Sequence, residues 1–161
     1  MAGKVKPIPE NYHRVTPYLV VDGAAEAIDF YSRVFGATEL MRMPAPGNKI
    51  GHAEIKVGDS VVMLADAVAE MGHKSPKTLG GSPVSLLLYV DDTDTTVKRA
   101  VESGAKLSRP VEDQFYGDRM GTVEDPFGHV WHVATRKKNL TMAELRKGAA
   151  AMAKQTESPG A

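Results

Sequence analysis

The spacing of apolar and polar positions changes period twice along this chain, in the same order each time. Thr16–Val21 (TPYLVV), dense in β-branched and aromatic residues, predicts a strand. Ala24, Ala27, Ile28, Tyr31 and Phe35 then recur at helical spacing and predict a helix over 24–35. Asp22-Gly23 is the expected N-terminal cap and Gly36 the C-terminal stop. A strand follows at Thr38–Met43, then a loop at Pro44–Asn48 (PAPGN) and a hairpin over Ile50–Asp66. Gly58-Asp59 supplies the two-residue turn of that hairpin, with glycine accepting the positive φ.

After a polar linker at 67–83 the order repeats. Val84–Val90 predicts a strand, Thr93–Ser103 a helix stopped by Gly104, and Lys106–Arg109 another strand. A loop through Gly117 leads to a hairpin over Arg119–Thr135, turning at Asp125-Pro126-Phe127-Gly128. Val21-Asp22 aligns with Val90-Asp91, Ile28 with Val97, and Met63-Leu64 with His132-Val133, each 69 residues apart. A long period seen twice describes a duplicated half-domain, not a solenoid. The expected fold is therefore α+β: two tandem βαβββ modules, residues 14–66 and 84–136, in one domain over 14–136. Residues 1–13, with Pro7 and Pro9, read as an extended arm. In the segment 137–161, Thr141 and Glu144 form a capping box that opens a helix to about Lys154, and the final TESPGA reads as disordered.

Strand parity sorts the hairpin side chains, because alternate residues face opposite sides of a sheet and paired residues share a side. About Gly58-Asp59, Val57 pairs with Ser60, Lys56 with Val61, Glu54 with Met63 and His52 with Ala65. One face carries His52, Glu54, Lys56, Val61, Met63 and Ala65. The other, Ala53, Ile55, Val57, Val62 and Leu64, is uniformly apolar and must pack on the helix. In the second module Val130, His132 and Ala134 take the face away from the helix. His129, Trp131 and Val133 take the helix side, with Trp131 in the core.

Composition narrows the function classes. Twenty Lys and Arg balance twenty Asp and Glu across 161 residues, so no global field draws the chain to nucleic acid or an anionic membrane. There is no cysteine, which excludes disulfides, thiolate nucleophiles and Cys-ligated zinc. MAGKVKPIPENYH lacks the apolar stretch of a signal peptide, and no apolar run nears the roughly 18 residues that span a bilayer. A cytoplasmic location is the expectation. No GxSxG, P-loop or HExxH motif occurs, so nucleophilic, nucleotide-driven and zincin chemistry have no support.

TPYLVVDGAAEAIDFYSRVFGATEL resembles the opening strand and helix of a vicinal oxygen chelate module. VSLLLYVDDTDTTVKRAVESGAKL resembles the opening of the second such module, and EDPFGHVWHV its closing hairpin. The chain is thereby similar to the glyoxalase/bleomycin resistance protein/extradiol dioxygenase superfamily over about residues 14–136. GHAEIKVGDSVVMLAD, QFYGDRMGTVEDPFGHVWHVATRK and the C-terminal helix resemble its PhnB-like branch. Some of that branch carries a demethylubiquinone methyltransferase label, to which the chain offers no Gly-rich nucleotide loop after a strand. The resemblance implies two curved half-barrel sheets around a cavity, helices outside and a homodimer. It also implies that Thr16, Tyr18 and Val20, and likewise Ser85, Leu87 and Tyr89, point into that cavity.

Metal-using members of the family place ligands on the opening and closing strands of each module. Those positions here are Thr16, Met63, Ser85 and His132, of which His132 alone is a good ligand for a divalent metal. The resemblance thus implies a protein without the glyoxalase I metal site and with no cofactor predicted. A divalent metal at a non-standard site would recruit His52, Glu54 and His132. His129 and His132 cannot share a metal, since they face opposite ways. The expected small-molecule contacts are His52, Glu54, His132, Tyr116, Arg119, Tyr18 and Tyr89, gathered about one cavity. For Gln114–Arg119 two readings stand. Tyr116 stacks on a planar ligand and Arg119 meets an anion, or Phe115 plugs the core and Asp118–Arg119 is a structural ion pair.

Two functions follow from different classes. One is a dimeric module that binds a small molecule in its cavity. The other is a metal-assisted or acid–base enzyme acting on a small carbonyl or oxygen-rich substrate, with His52 or His132 moving the proton.

Overall fold

Each module folds as a four-stranded sheet with one helix packed on one face, in a computed structural model that describes residues 5–157. The first contains β1 (Tyr18–Val21), α1 (Ala24–Phe35), β2 (Thr38–Ala45), β3 (Lys49–Val57) and β4 (Ser60–Asp66). Its strand order is β1-β4-β3-β2, so α1 carries the chain from one sheet edge to the other. After α2 (Pro76–Leu79) the second module repeats the plan with β5 (Ser85–Tyr89), α3 (Thr93–Glu102), β6 (Lys106–Asp113), β7 (Asp118–Glu124) and β8 (Val130–Arg136), ordered β5-β8-β7-β6. β1 pairs parallel with β4 and β5 with β8; the other pairings are antiparallel. Tyr18 opposite Met63 and Leu87 opposite His132 preserve the 69-residue offset in three dimensions.

The predicted hairpin register holds: Glu54 faces Met63, Lys56 faces Val61 and Val57 faces Ser60. Gly58 has φ 58°, as its turn position requires. Ala53, Ile55, Val57, Val62 and Leu64 are all buried, with Leu19 and Val21 beside them. Opposite them on α1 lie Ala27, Ile28, Phe30, Tyr31 and Val34, also buried.

Several boundaries differ from expectation. β1 starts at Tyr18, just after Pro17, which has no N–H to give a ladder, and the Thr16 hydroxyl donates to the His13 carbonyl, 3.0 Å away. β2 continues through Pro44 and Ala45, and β6 continues past Pro110 to Asp113. Both are edge strands with register shifts at these points, where a missing N–H breaks no ladder. The expected loop before β7 shrinks to Gln114–Gly117, closed by the Gln114 amide on the Asp118 carbonyl at 2.7 Å. The linker 67–83 holds a 3-10 turn at Ala69–Met71 and α2, whose N-cap Ser75 is fully buried and donates to Asp22 at 2.5 Å.

Gly23 stands at the N-cap of α1 as expected, while Asp22 gives the helix no side-chain cap. The start of α1 is capped by Asp66 at the end of β4, whose Oδ1 accepts the Gly23 and Ala24 amides at 2.9 and 3.0 Å. Its Oδ2 accepts the Ile50 amide at 2.8 Å. The parallel pairing of Val21 with Asp66 carries this buried carboxylate to the helix N-terminus, where the dipole favours it.

The chain forms two compact units. The first runs to Pro83 and includes Pro126–His129; the second comprises Val84–Asp125 and Val130–Ala161. Phe127 joins Phe30 and Tyr31 in the first unit's aromatic core, with ring centroids 6.1 and 6.2 Å apart, and the His129 ring meets the Val20 carbonyl. In the second unit Trp131 is buried and its Nε1 donates to Asp125 at 2.9 Å. Thr141 and Glu144 form the expected capping box, and α4 (Met142–Glu157) runs three residues beyond Lys154. Of the tail expected to be disordered, Thr156 and Glu157 are helical and 158–161 lie outside the described residues, as do residues 1–4 of the arm.

Candidate functional site

On the face of the first sheet away from α1, four polar side chains form one hydrogen-bonded chain. The Tyr18 hydroxyl lies 2.8 Å from His52 Nδ1, and His52 Nε2 lies 3.2 Å from Glu54 Oε1. Tyr12 donates its hydroxyl to Glu54 Oε2. Parity explains the grouping: Tyr18 is opposite Met63, Met63 opposite Glu54, and Met43 and Met41 flank His52 and Glu54 on β2. Glu54 is buried, only 8% exposed, whereas Tyr18 is 48% exposed and Met43 is likewise open.

The Tyr12 hydroxyl, then the His52 ring, hold the Glu54 carboxyl below the ordinary carboxylate range, against the opposing effect of burial. Tyr18 is raised by burial and then by the Glu54 charge, and Tyr12 chiefly by its bond to Glu54, so both remain phenols at neutral pH. A carboxyl depressed in the folded state adds stability above its unfolded value, about 4.3, and loses it as pH falls through the folded value. Thermal unfolding followed from pH 7 to 3 is therefore expected to show a steeper acid loss in the wild type than in Glu54→Gln. Identical acid profiles would refute the ionised, bonded Glu54.

In the second unit the corresponding face carries His132, with Nε2 3.0 Å from the Ser85 hydroxyl and Nδ1 2.9 Å from that of Thr122. Tyr89, half-exposed, donates to Asp118 Oδ2 at 2.8 Å, and Arg136 Nε donates to Asp118 Oδ1 at 3.1 Å. Tyr116 donates to Met120 Sδ at 3.5 Å and is raised by burial and then by the Asp118 charge. A cavity of about 260 Å³ opens beside this group, walled by Phe115, Leu140, Lys137 and Lys138.

Arg119 departs from expectation. β7 begins one residue earlier than predicted, and parity turns Arg119 to the α3 side with Gly121 and Val123, away from His132. Its Nε and Nη2 donate to Asp94 at 2.6 and 2.8 Å, and Nη1 to Asp113 at 3.1 Å. Its guanidinium is thus engaged by two carboxylates and is not grouped with the face of Tyr89 and His132. The expected Asp118–Arg119 pair is replaced by Asp118–Arg136, and Phe115, 41% exposed, does not plug the core.

The donor set at the four family metal positions does not fit a divalent metal. Thr16 turns to the His13 carbonyl, Met63 is soft and neutral, and Ser85 and His132 bond one another. Among the described residues no group of three His, Asp or Glu side chains is arranged to hold a metal. Sequence reasoning missed Tyr12, Thr122, Asp118 and Arg136. The last two become visible once the β7–β8 register is extended by one pair, while Tyr12 sits in an arm without periodicity.

Residues 12–133 match the family model described as the Glyoxalase/Bleomycin resistance protein/Dioxygenase superfamily. An uncharacterized protein of Mycobacterium tuberculosis is 45% identical over 144 residues, covering 88% of this chain and 83% of that one. TioX from Micromonospora sp. ML1 superposes with TM-score 0.60 at 27% identity, covering 80% of this chain and all of that one. A PhnB protein from Bacillus cereus, 18% identical with TM-score 0.60, covers 76% of this chain and 99% of its own and shares the fold.

Proposed function

We propose that this chain, which belongs to the glyoxalase/bleomycin resistance protein/dioxygenase superfamily, binds a small molecule on the sheet face away from α1, without the glyoxalase I metal site. The chain Tyr12–Glu54–His52–Tyr18 carries the reading. A buried carboxylate costs free energy that core packing does not require, and the group that satisfies Glu54 ends on half-exposed Tyr18, with exposed Met43 opposite His52. Tyr18, His52 and Glu54 are the proposed contacts on this face; the second unit carries its own polar group, His132, Tyr89 and Tyr116, on the corresponding face of its sheet.

The proposal extends to a cytoplasmic homodimer of the PhnB-like branch. The matching stretches GHAEIKVGDSVVMLAD and QFYGDRMGTVEDPFGHVWHVATRK support the branch. The likeness to the Bacillus cereus protein speaks for the fold alone. No helix among the described residues is long and apolar enough to cross a membrane.

Acid–base catalysis is the second reading. It is favoured by one observation: Glu54, His52 and Tyr18 stand in the carboxylate–imidazole–hydroxyl order that relays a proton.

Native mass spectrometry of the purified full chain tests the binding reading. The expected spectrum shows a dimer of the 17.3 kDa chain carrying a non-covalent small-molecule adduct. His52→Ala is expected to lose the adduct while the chain stays folded, at a cost of no more than about 1–3 kcal/mol for the Glu54 bond left unmade. An adduct retained in both His52→Ala and Tyr18→Ala, or none in the wild type, would overturn it. Stoichiometric divalent metal by elemental analysis would overturn the metal-free site.

A further inference from the structure

We propose that Tyr18 offers the ligand a hydrogen-bond acceptor and not a donor, so that the molecule bound here carries an O–H or N–H group on an apolar or aromatic body. This rests on the binding reading above and narrows the ligand class.

An ionised carboxylate only accepts, so both partners of Glu54 must donate to it. Tyr12 gives its phenol hydrogen to Oε2, and the hydrogen facing Oε1 must therefore sit on His52 Nε2. A neutral imidazole carries one hydrogen, which leaves His52 Nδ1 as an acceptor. The atom 2.8 Å from Nδ1 is the Tyr18 hydroxyl, which must supply its single hydrogen there. Among the described residues Tyr18 has no second hydrogen-bond partner. Half-exposed, it keeps only oxygen lone pairs for whatever arrives. The tilted Tyr18 and His52 rings, 5.5 Å apart, and exposed Met43 supply the surface for the apolar body.

His132 shows why the assignment is specific to the first module. Both of its partners, Ser85 and Thr122, are hydroxyls that can donate or accept, so nothing there sets the tautomer. Glu54 is the acidic anchor that removes this freedom at His52.

The hydrogen count is read without any ligand. Long-range ¹H–¹⁵N spectra of the full chain at pH 8, above the ordinary histidine range, are expected to show the His52 ring as the Nε2–H tautomer, assigned by its loss in His52→Gln. An Nδ1–H ring, or an imidazolium at that pH, overturns the acceptor assignment whether or not any adduct is found. The ligand class is read with two probes, 4-methylphenol and its methyl ether 4-methylanisole, by chemical-shift titration. The phenol is expected to bind about tenfold tighter, some 1.4 kcal/mol, and Tyr18→Phe to bring the two within about twofold. Equal binding of the probes, binding of neither, or a preference that survives Tyr18→Phe overturns the ligand class.

Discussion

Trp131→Ala is expected to lower the unfolding free energy by about 3–5 kcal/mol, the range for removing a buried aromatic side chain. The indole is 3% exposed in the core of the second unit, and its Nε1 donates to Asp125, itself buried. Truncation therefore opens a cavity and also takes a donor from an enclosed carboxylate, a loss of about 1–3 kcal/mol by itself. Trp131→Phe divides the two effects in part, since it keeps an aromatic ring in the core while removing the N–H and some of the ring volume. Urea denaturation is expected to rank wild type above Trp131→Phe and that above Trp131→Ala. Equal midpoints for wild type and Trp131→Ala would refute the core placement, and with it the face assigned to His132 one residue on.

Asp66→Ala is expected to cost about 2–6 kcal/mol, from leaving the two buried amides of Ala24 and Ile50 without an acceptor at about 1–3 kcal/mol each. With the Gly23 amide also accepted, one carboxylate joins the end of β4 to the start of α1 and the start of β3. Asp66→Asn keeps one carbonyl oxygen for the helix amides but turns an N–H₂ toward Ile50, and should fall between. Hydrogen exchange localises the effect: protection should drop first at Ala24 and Ile50. Alanine within about 1 kcal/mol of wild type would refute the cap.

These two residues were not equally readable from the chain. Trp131 follows from parity alone, because His129, Trp131 and Val133 alternate with Val130 and His132 across a hairpin whose turn is marked by Asp125 to Gly128. The same reasoning set the β3–β4 register, since Gly58-Asp59 allows one two-residue turn and the apolar set Ala53, Ile55 and Val57 has one face to bury. Asp66 is different. Its role arises from the parallel pairing of β1 with β4, a contact between residues more than forty apart in sequence that no local pattern announces. Within the site, His52, Glu54 and Tyr18 were legible by parity and resemblance, whereas Tyr12 was not, lying in a proline-containing arm. Arg119 was misplaced for a local reason. Arg119 reads both as the last residue of the Gln114–Arg119 loop and as the first of the hairpin, and the structure sets it inside β7, where the pleat dictates its face.

The hairpin tip Pro126–His129 belongs to the compact unit formed by the first eighty-odd residues, where Phe127 closes an aromatic cluster with Phe30 and Tyr31. During synthesis that unit cannot be completed when Pro83 has been added. It must wait roughly 45 further residues for the tip to be added, a delay of several seconds at about 5–20 residues per second. Throughout that interval the nascent chain holds a nearly finished sheet and helix whose aromatic cluster lacks one ring. The duplication therefore did not produce two halves that can be built one after the other: the first half-domain is finished by a piece of the second.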